Sequence, residues 1–136
     1  GNILLMEKNF SGAIKLFNKS LKIKPDFWQA INNKGLAYFE TNKINESAKL
    51  FEKAISIQDN PEPLLGLASC LHLKDIKFAI QLAKKALRKD PNYVSYDYRK
   101  EQLWGENLQK STEILLKNDQ LKIDVILAKS KINASS

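Results

Sequence analysis

The chain has 136 residues, 43% of them apolar, a single cysteine and a formal charge of +7. That length and apolar content suit one packed domain and argue against disorder throughout. They also exclude an internal disulfide framework, a cysteine-rich zinc site and, for want of an apolar run near 18 residues, a membrane-spanning helix. Arginine occurs only at positions 88 and 99, and every other basic residue is lysine. Nucleic-acid surfaces lean on arginine for bidentate and stacking contacts, whereas scattered lysine keeps a helical surface soluble. Cys70 alone fits a reducing compartment, so a cytoplasmic location is expected. The chain opens on Gly1 without an initiator methionine and is read as a fragment.

In chain order, Gly1 and Leu4 read as the tail of one helix, followed by an amphipathic stretch AIKLFNKSLKIKP from Ala13. Pro25-Asp26 opens the next pair, with Asp26 and Gln29 spaced as a capping box. Within KPDFWQAINNKGLAYF (24–39), Asn32-Asn33-Lys34-Gly35 resembles a turn, yet Phe27, Ile31 and Tyr38 keep helical spacing through it. A second amphipathic helix, SAKLFEKAISIQD, begins at Ser47, with Asn45 as its expected cap. Asp59-Asn60-Pro61 breaks the chain before a helix carrying Leu64, Leu67, Ala68 and Leu71. Asp75 caps a third amphipathic segment, AIQLAKKALRKDP from Ala79, which Asp90-Pro91-Asn92 ends. Residues 94–117, with Val94, Leu103, Trp104, Leu108 and Leu115, suit one long helix or a helix with a bend. Asn118-Asp119 then caps a last helix near 120–131 that folds back through Leu121, Val125 and Ala128.

The three amphipathic segments align without gaps, at offsets of 34 and 32 residues. Small residues coincide at Ala13, Ser47 and Ala79 and at Ser20, Ala54 and Ala86. Large ones coincide at Leu16, Leu50 and Leu82, at Leu21, Ile55 and Leu87, and at Phe17 and Phe51, with Ala83 third. With Gly35 and Tyr38 ahead of the central segment and Pro25 and Pro91 ending the outer ones, the chain resembles the tetratricopeptide repeat family. The resemblance implies an all-α, right-handed solenoid of antiparallel helix pairs. Its repeats would fall at about 1–27, 28–61 and 62–92, and 93–136 would cap it. It also makes Gly35 a helix-pair contact rather than a turn, with Tyr38 and Phe51 filling the space between units.

No constellation for catalysis is visible. His72 and Cys70 stand alone and, two apart on a helix, point about 200° from one another. There is no glycine-rich phosphate loop and no nucleophile–base spacing. Neither enzyme activity nor a cofactor or metal is expected. The family resemblance instead implies a protein-interaction scaffold whose first helices line a concave groove for a peptide or partner protein. By position the groove would take Asn2 and Leu5, then Gln29, Asn32, Asn33, Leu36 and Phe39, then Leu65, Ser69 and His72, and finally Tyr98, Arg99 and Gln102. Asparagine can both donate to and accept from a ligand backbone. Asn2 and Asn33 also fall on two places of the clamp by which some family members hold acidic chaperone C-termini. Glu62 and Gly66 stand near the places of its Lys and Arg, so no chaperone clamp is expected. Two other classes remain open. Tyr93, Tyr96, Tyr98, Arg99 and Lys100 form an aromatic and basic cluster of the kind that stacks RNA bases. A structural, self-associating or membrane-associated assembly role is the other, with Ile123, Ile126 and Leu127 available to touch a membrane surface.

Overall fold

In a computed structural model of the protein, residues 2–24 and 26–134 are described, with side chains from residue 10 onward apart from 11 and 25. They form eight α-helices: α1 Asn2–Ile23, α2 Trp28–Glu40, α3 Ile44–Ile57, α4 Pro61–Leu71, α5 Ile76–Lys89, α6 Tyr96–Glu101, α7 Glu106–Leu116 and α8 Lys122–Ala134. Short 3-10 turns at Pro91–Val94 and Asp119–Leu121 precede α6 and α8. Each of α1 to α4 packs on the next, α7 packs on α4 and α2, and α8 packs on α5 and the Pro91–Val94 turn.

The centre of the stack is Phe51, which is fully buried. Its ring lies 3.0 Å from where a Cβ on Gly35 would stand and 2.8 Å from the same point on Gly66. The glycines of α2 and α4 thus form the two walls of one aromatic slot. Burying a phenyl ring of this kind stabilises by roughly 1.5–3 kcal/mol, which outweighs the ~1 kcal/mol a mid-helix glycine costs. Fully buried Ser47 on α3 closes the same joint by donating to the Gly35 carbonyl at 2.7 Å. The expected role of Gly35 holds, and the chain is helical through Asn32 to Lys34. Tyr38 is only half-buried, with the ammonium groups of Lys34 and Lys43 over its ring.

Several local expectations differ. No turn separates Leu4 from Ala13: α1 is one helix, and at Gly12 nothing lies within 4 Å of where a Cβ would stand. One exposed glycine costs too little to end a helix, and no described element packs against it there. Leu16, aligned with the half-buried Leu50 and the buried Leu82, is accordingly 68% exposed. Asp26 makes no capping box, because α2 starts at Trp28 with Phe27 at the N-cap and no side-chain cap bond. Asn45 lies inside α3, where its Oδ1 accepts from Lys74 Nζ at 2.5 Å instead. Asp75 does cap α5, accepting from the Phe78 N–H, while Asn118 accepts from the Gln120 N–H and caps the Asp119–Leu121 turn ahead of α8 rather than α8 itself. Residues 94–117 are not one helix. The chain turns out of helix at Leu103, whose φ is 70°, and resumes at Glu106. The last helix does turn back through Leu121, Val125 and Ala128, but onto α5 and the Pro91–Val94 turn rather than onto α7.

Candidate interaction site

The face made by α2 and α4 is the one the sequence points to, and α7 lies across part of it. On α2 the residues Gln29, Asn33, Leu36 and Glu40 recur at helical spacing and share one stripe. The stripe divides in the middle. Gln29 and Asn33 are exposed, while Leu36 is buried and Glu40 reaches α7. Phe39 on α2 and Leu65 and Ser69 on α4 are buried in the core that includes Leu108, Leu115 and Leu116 of α7.

Two polar contacts fix α7 in place. The Glu40 carboxylate accepts from the Asn107 N–H at 2.9 Å and from the Leu108 N–H at 3.0 Å. These are first-turn amides without an intrahelical partner, at the positive end of the helix dipole. A Cβ on Gly105 would overlap the end of the Glu40 side chain, so a larger residue there makes the carboxylate shift from its present place. Burial raises the Glu40 pKa above its ordinary value, opposed by these two amides. Further along, the Ser69 and Thr112 hydroxyl oxygens lie 2.7 Å apart in the core. Ser69 also faces the Leu65 carbonyl at 2.9 Å, and Thr112 the Leu108 carbonyl at 2.8 Å. Each hydroxyl has one proton, so one donates across the interface and the other to its own helix.

A buried polar cluster occupies the rest of the face. Glu62, at the start of α4, accepts from Tyr93 Oη at 3.1 Å and from Trp104 Nε1 at 3.2 Å. Asn32, only 2% exposed, also bonds to it, and its own Oδ1 has no partner among the described residues. Burial raises the Glu62 pKa, and the bonds from Asn32, Tyr93 and Trp104 work against that rise. Glu62, expected near the place of one clamp cation, is thus a carboxylate with internal partners.

Arg99 is 0% exposed. Its Nε donates to Gln109 Oε1 at 2.7 Å, Nη1 to the Tyr93 carbonyl at 2.7 Å and Nη2 to Glu113 Oε1 at 2.5 Å. Burial holds the guanidinium below its usual pKa, opposed by Glu113. Of the expected base-stacking cluster, Tyr93 and Arg99 are thus taken up inside, while Tyr96 and Tyr98 are half-buried and Lys100 is exposed. Tyr93 is buried edge-on against Tyr98, with ring centroids 5.0 Å apart, and Arg99 has no face to offer.

Of the residues expected to line an open groove, Asn32, Leu36, Phe39, Leu65, Ser69 and Arg99 are therefore buried. Gln29 and Asn33 are exposed, and His72, Tyr98 and Gln102 are half-buried. His72 Nδ1 lies 2.8 Å from the Ser69 carbonyl. The side chains of Asn2 and Leu5, like Gly1 and Pro25, lie outside the described residues. What sequence reasoning missed is Glu40 with Gly105. Nothing short-range couples positions that lie more than sixty residues apart. The only hint was a glycine directly before a helix, where a close approach is one of its uses.

Among the described residues no group of three or more His, Cys, Asp or Glu could hold a metal ion, and no helix is long and apolar enough to cross a membrane. Burial pushes the Cys70 thiol up to about 12, so it is neither nucleophile nor ligand at neutral pH. The comparison with curated proteins gives no match. Comparison with known families matches residues 29–61 to the tetratricopeptide repeat. Those residues span α2 and α3 with the Gly35–Phe51–Ser47 joint, and with the all-helical stack around them they fit a protein of the tetratricopeptide repeat family.

Proposed function

We propose that the protein is a non-enzymatic scaffold that binds a partner protein or peptide on the part of the α2 face that α7 leaves open. Tetratricopeptide repeats are generally protein–protein interaction modules. In the right-handed solenoid of that family the first helix of each pair faces the concave side, which here is the side of α2 and α4. The observation that carries the reading is the division of one helical stripe: Leu36 and Glu40 are engaged inside, Gln29 and Asn33 are exposed.

Magnitudes favour this over a peptide that fills the whole groove. Such a ligand must first remove α7, whose Leu108, Leu115 and Leu116 are buried. At roughly 1.5–3 kcal/mol for each leucine, displacement costs more than most peptides return. The open half has no such barrier, and its amides can pair with an extended ligand backbone. Leu65, Ser69 and Phe39 then act by seating α7, which sets the edge of the binding surface.

Site-specific photocrosslinking in native extract tests this. A photoreactive residue at position 33 captures a partner that the same residue at exposed Lys49 on α3 does not, and Gln29→Arg with Asn33→Arg abolishes the capture. Equal capture at positions 33 and 49, or capture that survives both arginines, refutes the proposal.

A further inference from the structure

A second groove, of about 300 Å³, runs between α5 and α8. Its floor is Leu87 and Ala128, each 3% exposed. Its wall on α8 is Ile123 and Leu127, which are 71% and 54% exposed and one helical turn apart. A single exposed aliphatic is ordinary. Two of them beside a buried apolar floor make a seat for an apolar side chain.

The rim is cationic. Lys84 and Arg88 come from α5 and Lys131 from α8, with Asp124 the one carboxylate among the described residues that line it. Lys85 and Lys89, on the neighbouring positions of α5, reach Asp59 at 2.5 and 3.8 Å. Arg88 stands 3.9 Å from Asp124, and its side chain is 73% exposed, so its donor fork remains open to solvent. Gln81, Lys84 and Arg88 extend the polar rim along α5 into an adjoining depression.

We propose that this groove docks an acidic amphipathic helix of a partner protein. Its leucine-type side chains sit between Ile123 and Leu127 over Leu87, and its flanking carboxylates meet Arg88 and Lys84. Charge selects this occupant, because the rim and the whole chain are basic and a second copy would be repelled. The pattern of α8 sets a lipid surface aside. Ile123, Ile126 and Leu127 share a stripe, but α8 as a whole is only weakly amphipathic, because Val125, Ala128 and Ile132 pack against the core on its other side. The groove uses no residue of the α2 face, so the two proposals stand or fall separately.

The test titrates the full chain against a labelled synthetic helical peptide about four turns long, with leucine along one stripe and glutamate beside it. Expected is micromolar binding that weakens steeply with salt. It falls at least tenfold in Lys84→Glu with Arg88→Glu, falls similarly in Leu127→Ser, and is unchanged in Gln29→Arg with Asn33→Arg. Leu127 is exposed, so its variant decides the matter should the charge reversal fail to fold. Equal binding of a scrambled peptide of the same composition overturns the proposal. So does tighter binding to phosphatidylserine vesicles than to the peptide, or wild-type affinity in both groove variants.

Discussion

Arg99→Met removes the one guanidinium that ties the Pro91–Val94 turn, α6 and α7 together. The substitution keeps most of the volume and deletes three hydrogen bonds of 2.5–2.7 Å. Glu113 is 42% exposed and rehydrates. Gln109 is 1% exposed, and its Oε1 is left without a donor, as is the Tyr93 carbonyl. Each stranded buried acceptor costs about 1–3 kcal/mol, part of which is returned because no guanidinium need be desolvated. The expected loss is about 3 kcal/mol, roughly two orders of magnitude in the folding equilibrium. Arg99→Lys restores the charge but not three coplanar donors, and recovers less than half of it. Urea unfolding followed by circular dichroism and by the fluorescence of Trp28 and Trp104 reads the loss. A surface arginine would change stability by no more than about 0.5 kcal/mol. A measured loss under about 1 kcal/mol would refute the buried placement and return Arg99 to the surface as a candidate for ligand contact.

Gly105→Ala puts a methyl where the end of the Glu40 side chain lies, so the carboxylate must shift away from the Asn107 and Leu108 amides. It should destabilise α7 by about 1–2 kcal/mol, and in the Glu40→Ala background the added loss should be clearly smaller; additive losses in a double-mutant cycle would contradict the latch. Leu103 is 82% exposed with φ 70°, so Leu103→Gly relieves about 1–2 kcal/mol of left-handed strain at some entropic cost. The melting temperature should rise by a few degrees. For Glu62 the folded pKa lies above 4.5. Between those two values the native state binds more protons than the unfolded chain, so this group's contribution falls as pH rises through the window. Glu62→Gln should remove that decline, read as the pH dependence of the stability difference between variant and wild type. A difference that does not change with pH across the window would contradict the burial of a charged Glu62.

The repeat was legible because its signals are short-range and periodic. Gly35, Ser47, Phe51 and Ala54 sit at spacings that only close helix packing explains, and the fold puts them in one joint. Asp75 worked as a cap because its side chain reaches an amide three residues on. Asn45 failed because a lysine from a later loop competes for the same oxygen. The site was half legible. The stripe of Gln29, Asn33 and Leu36 was found, but not the helix that covers its far end. That docking depends on Glu40 meeting Gly105 and Ser69 meeting Thr112, pairings over forty or more residues that a local pattern does not encode. Arg99 was misplaced for the same reason: beside tyrosines it resembles a stacking surface, and only Gln109 and Glu113 turn it inward.

The central claim is that α7 covers one half of the α2–α4 face and leaves the other open. Thiol labelling of the folded protein, with the native cysteine replaced by Cys70→Ala, tests it most directly. Asn33→Cys should react with an uncharged maleimide about as fast as an unfolded peptide thiol. Ser69→Cys, whose place is 1% exposed beneath Thr112, should be protected by about a hundredfold or more. Equal rates at the two positions would mean that α7 does not seat in the groove.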